Sequence, residues 1–108
     1  MSEELSPLER EIIRVVALEN WPGFRTDGLE VPRRENTGAG RFTHLRDRHE
    51  QFVRDGFYAA QGKFIEMDGV PYGLSFEVVA SNGRVSFIEI AVNGVFPWDG
   101  TERQWRIV

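Results

Sequence analysis

The chain has 108 residues, 41% of them hydrophobic and 28% charged, with a net charge of −4. This describes one globular domain long enough to build its own core, and the acidic balance argues against a nucleic-acid partner, which needs a basic surface. Cysteine is absent, which excludes disulfides, thiol chemistry and Cys-based zinc sites.

The opening MSEELSPLER lacks the basic start and apolar run of a signal peptide. No apolar run is long enough to cross a membrane, so a cytoplasmic protein without membrane contact is expected. Twelve of the 13 basic residues are Arg and only Lys63 is Lys. Arg forks suit carboxylate and phosphate recognition, although codon bias produces the same composition.

A helix is predicted from Pro7 to Leu18. Ser6 is its N-cap, Pro7 takes the first helical position and Glu9 completes a capping box. Leu8, Ile12, Val15 and Val16 form one apolar stripe, with Glu9, Arg10, Glu11 and Arg14 mostly off it. Pro22 and Gly23 stop the helix. From Leu29 onward the chain reads as β. LEVPRREN alternates, but Pro32 cannot donate to a ladder, which implies an edge strand or a break. RFTHL is the return strand of a hairpin, and RDRHEQFVRDGF reads as a loop with one helical turn. KFIEM, YGLSFEVVA, RVSFIEIAV and RQWRIV supply further strands. The middle two are joined by SNG, whose Asn and Gly accept positive φ. The result is a single α+β domain: an N-terminal helix packed on a mainly antiparallel meander sheet of five to six strands, each beside the previous one. Core candidates are Leu8, Ile12, Val15, Val16, Phe76, Val78, Val85, Phe87, Ile88 and Ile90.

RVSFIEIAV carries bulky apolar residues on both parities. Either both faces are covered, which invites a homodimer, or a bulge near Phe87 shifts the register.

The most conspicuous stretch is RRENTGAGRFTHL, Arg33 to Leu45. It lacks the Lys of a Walker loop and the third Gly and following helix of a dinucleotide loop, so a hairpin turning at Gly38 and Ala39 is expected. In that register Arg33, Glu35, Phe42 and His44 share one face, on the side of Leu29 and Val31. Arg34, Asn36, Arg41 and Thr43 share the other. A ligand site at the mouth of the core would use Arg33 as an anion anchor, His44 as acid or base, and Arg34, Glu35 and Thr43 around them. An ion pair on a hairpin surface explains the same residues without a ligand.

Other constellations are weaker. His44 and His49 lack metal-ligand spacing, so no metal and no cofactor are expected. Glu66, Glu77 and Glu89 lie on consecutive predicted strands, where carboxylates either do acid–base work in a cleft or face solvent. No serine sits in a GxSxG setting. Trp21, Trp98 and Trp105 flank turns and are expected to plug the ends of the core.

The capped helix, the hairpin and the strand pair ending near FPW resemble a set of small bacterial proteins of unassigned function. The resemblance rests on Arg34, Glu35, Thr37, Gly38, Gly40, Phe42 and Thr43, with Arg41 as a departure beside the aromatic. It implies a hotspot and no activity. The residues together point to a non-catalytic binding or interaction protein with a protein partner, one form being an immunity-type protein that covers a toxin. The alternative is a small enzyme or anionic-ligand binder at the Arg33–His44 hairpin.

Overall fold

The computed structural model describes residues 3–108; Met1 and Ser2 of the opening segment lie outside the described residues. Among the described residues one helix, α1 (Pro7–Asn20), precedes nine strands. These are β1 (Leu29–Glu30), β2 (Arg34–Asn36), β3 (Gly40–His44), β4 (Arg46–Asp47), β5 (Gly56–Tyr58), β6 (Ile65–Met67), β7 (Val70–Ser81), β8 (Arg84–Val92) and β9 (Trp105–Ile107). The main sheet runs in the order β2-β3-β8-β7-β6-β9, with β5 also paired to β7, and every pairing is antiparallel. The fold is therefore α+β, a helix on one antiparallel sheet. Consecutive strands are neighbours in β6–β7–β8, but β3 returns beside β8 rather than β4. The short β1–β4 pair forms a separate sheet.

The predicted capping box is present. Glu9 N–H donates to the Ser6 hydroxyl at 3.1 Å, and Ser6 N–H donates to Glu9 Oε1 at 2.8 Å. The helix runs two residues past Leu18 because Asn20 donates to both Val16 O and Ala59 O at 2.9 Å, closing the last turn against a loop. Its apolar stripe is wider than predicted, adding Ile13 to Leu8, Ile12, Val15 and Val16. It packs on β7 and shares one core with Leu74, Phe76, Val78, Ile88 and Ile90 from β7 and β8. Each fully buried Leu or Ile stabilises the fold by about 1.5–3 kcal/mol. No helix among the described residues is long and apolar enough to cross a membrane.

The bulge in β8 is real. Val79 opposes Phe87, but the next residue, Ala80, opposes Val85, so Ser86 is the extra residue. Val85 thus joins Ile88 and Ile90 in the core, while Phe87 turns to the opposite face and is only half-buried, unlike the other core candidates. The bulge thus accounts for Val85, while Phe87 remains as an apolar residue on the outer face. Asn82 and Gly83 make the β7–β8 turn with φ of 54° and 78°, as the sequence implies. The segment read as a loop with a helical turn holds none. Asp47 staples it instead, accepting from His49 N–H at 2.9 Å and from Gln51 N–H and Nε2 at 3.0 Å, while β4 takes its first two residues and β5 begins within it at Gly56.

Candidate functional site

The hairpin has the register predicted from its turn. Arg34 opposes Thr43, Glu35 opposes Phe42 and Asn36 opposes Arg41, while His44 N–H donates to Arg33 O. Gly38 adopts φ +83°, which suits a residue without Cβ. Gly40 serves a different need: a Cβ there would stand 2.2 Å from Ile90 O, so β3 can approach β8 only without one. The glycines of GAG thus turn a strand and admit its neighbour. The chain does break at Pro32, with β2 starting at Arg34. One expectation is corrected by that break: Val31 is fully buried in the core, whereas Arg33 stands on the solvent side.

The five predicted site residues are divided between the two faces of the sheet. Arg34 and Thr43 point toward α1, where the sequence reading missed the group that receives them. Glu9 is 0% exposed. Its Oε2 accepts from Arg34 Nε at 2.9 Å, Arg41 Nη2 at 2.9 Å and the Thr43 hydroxyl at 2.6 Å, and its Oε1 accepts from Arg34 Nη2 at 2.7 Å. Burial pushes the Glu9 carboxyl up, but the Arg34 hydrogen bonds, the Ser6 amide, Thr43 and the Arg41 charge outweigh it and hold the group at about 2. A capping residue is therefore also the hub of a buried charge network.

Arg41 extends that network to the loop after β8. It donates to Gly100 O at 2.9 Å and to Glu102 at 2.7 Å, and its guanidinium lies 5.3 Å from the centre of the buried Trp98 ring. Trp98 N–H in turn donates to Gly38 O, and Gly100 sits against Asn36, where a Cβ would meet Oδ1 at 2.3 Å. The hairpin and the FPWDG loop are thus one interlocked unit. Trp98 is buried in the core, and Trp21 and Trp105 are half-buried and pack against it, Trp21 beside Phe24 and Tyr58.

Arg33, Glu35 and His44 come together on the other face. Glu35 Oε1 accepts from Arg33 Nη1 at 2.7 Å and lies 2.6 Å from His44 Nε2. The exposed Glu35 carboxyl is lowered by the His44 hydrogen bond and the Arg33 charge. Alternation along the strands lines up this whole face in rows. One row across β5, β7, β8 and β3 holds Phe57, Val79, Phe87 and His44. The next, across β7, β8, β3 and β2, holds Glu77, Glu89, Phe42 and Glu35. A third holds Ser75, Ala91 and Gly40. Phe87 meets Phe42 edge-on at 5.6 Å and His44 at 6.0 Å, and Phe57 is 75% exposed. Within the second row Glu77 and Glu89 are direct cross-strand partners; burial, then the hydrogen bond and charge of Glu89, push the Glu77 carboxyl up.

A groove of about 880 Å³ lies elsewhere, beside β6, the β6–β7 turn and β9, with Phe64, Tyr72 and Trp105 among its walls. None of the five predicted residues lines it, and its Glu66 and Arg106 neutralise each other. Glu66 is thus set apart from the Glu77–Glu89 pair. No cluster of three or more metal-ligating side chains occurs among the described residues. Comparison with protein-family models, with curated proteins and with solved structures gave no match.

Proposed function

We propose that this chain is a non-catalytic, cytoplasmic protein-binding module that docks through the face of its sheet opposite α1. The observation that carries this reading is the apolar row Phe57–Val79–Phe87 with Phe42 beside it, on the sheet face opposite the helix, where Phe57 is exposed, Phe42 and Phe87 are half-buried and Val79 is buried between Phe57 and Phe87. Contiguous apolar side chains rimmed by polar ones are the usual signature of an interaction surface. An immunity-type role, in which a small chain covers a larger protein, is one form of this reading.

The anionic-ligand alternative draws less support. Arg33 is paired with Glu35, and Arg34 with Glu9 and Glu3, so an incoming anion would compete with carboxylates already in place. Position-specific photo-crosslinking in source cells tests the proposal. A photoreactive residue at Phe57 is expected to give one discrete heavier adduct, and one at Leu18, exposed on the helix layer, none. Equal labelling at both positions, or none at Phe57, would contradict it.

A further inference from the structure

The inner face of the sheet displays how this chain accommodates a guanidinium. Arg41 lies between two carboxylates, Glu9 at 2.9 Å and Glu102 at 2.7 Å, with its charge over the Trp98 ring. The outer face repeats the acceptors without the cation. Glu77 and Glu89 oppose each other on neighbouring strands, and Phe42 lies directly across from Glu89 on the next strand, its ring against Phe87. Arg33, the guanidinium on this face of the hairpin, is held by Glu35. Among the described residues no cation lies within ion-pair distance of Glu77 or Glu89. Like charges directly opposite on a sheet are destabilising, so the pair is a cost that folding alone does not explain.

We propose that the Glu77–Glu89 pair receives an arginine or lysine side chain of a basic protein partner, with Phe42 and Phe87 lining its path. This rests on the sheet-docking reading above and adds the partner's chemistry to it. Two carboxylates flanked by aromatic rings match a guanidinium on both counts, as charge acceptors and as a cation–π surface. The same residues argue against a second copy as occupant. Two such faces brought together would bring two copies of the uncompensated Glu77–Glu89 pair into one interface, which disfavours association.

The probe is a random dodecamer peptide library displayed on phage, selected on the full-length chain at low salt. The best sequence is then synthesised with Arg and with citrulline at its basic position. Selected sequences are expected to carry Arg or Lys beside aromatic or aliphatic residues. The Arg peptide is expected to lose at least about tenfold in affinity on E77Q/E89Q protein, and as much on replacement by citrulline. Because E77Q/E89Q removes a repulsion, it is expected to melt no lower than the parent, so a loss of binding cannot be a loss of fold. Peptides without basic enrichment that still need Phe57 and Phe87 would overturn the basic-partner claim and leave sheet docking intact. Peptides unaffected by E77Q/E89Q and by Phe57→Ser, or no selected peptide at all, would overturn both.

Discussion

Replacing Glu9 by Gln tests the charge network that joins the helix to the hairpin. The variant keeps the size of the side chain but leaves Arg34 and the buried Arg41 without their shared carboxylate. The displacement of the Glu9 carboxyl from an ordinary 4.5 to about 2 corresponds to about 3 kcal/mol, at about 1.4 kcal/mol per pH unit. Breaking one partner of a buried pair typically costs about 3–5 kcal/mol, in agreement. Against a total stability of about 5–15 kcal/mol for a domain, that is a large share. Urea denaturation at neutral pH is expected to give a loss of about 3 kcal/mol. The pH dependence gives a second check. A carboxyl lowered by folding stabilises the native state above its unfolded value, and this contribution fades as pH falls from about 4.5 toward about 2. The gap between parent and E9Q should therefore narrow steadily over that window. A loss below about 1 kcal/mol at neutral pH, or a gap that does not change with pH, would refute the reasoning.

Three further outcomes follow from the same contacts. Arg41→Lys cannot reach Glu9, Glu102 and Gly100 O at once, so the FPWDG loop should loosen, read as faster amide exchange at Trp98 and red-shifted Trp emission with the sheet amides unchanged. Gly40→Ala places a methyl 2.2 Å from Ile90 O and should cost about 1–3 kcal/mol in denaturant titration, whereas Ala at the helix surface position Leu18 should cost less than about 1 kcal/mol. Glu77→Gln should raise the melting temperature at neutral pH. The Glu77 carboxyl is pushed up on folding, so the parent loses stability as pH rises above about 4.5, and the benefit of Gln should disappear in acid.

Much of the fold is readable in the residues because local chemistry dictates it. Ser6, Pro7 and Glu9 fix the helix start, Asn82 and Gly83 the β7–β8 turn, and Gly38 with Ala39 the hairpin register. The face assignment of Arg34, Arg41 and Thr43 follows from that register. Their target does not. Glu9 is 25 residues from Arg34 and 32 from Arg41, and as a capping residue it already has a local role that accounts for its presence. The signal that it faces inward is Ile13, four residues on, which is buried and widens the stripe to include it. The same blindness to long range hides the loop around Trp98, whose Gly100 is needed for its φ of +84° and also because Asn36 lies against it. The placement of β3 beside β8 is likewise set by the closeness that Gly40 allows, which no spacing in the chain announces. Phe87, counted among the core candidates with Val85, faces outward opposite Ile88 and Ile90, and the bulge at Ser86 brings Val85 alone to the core face.

Amide chemical-shift mapping of isotopically labelled protein with the selected Arg peptide tests the docking account most directly. Perturbations are expected at Phe42, Phe57, Glu77, Phe87 and Glu89, across β3, β5, β7 and β8, with the carboxyl carbons of Glu77 and Glu89 moving together. Shifts concentrated instead at Arg34, Thr43 and Glu9, or around Tyr72 and Trp105 in the groove, would contradict it.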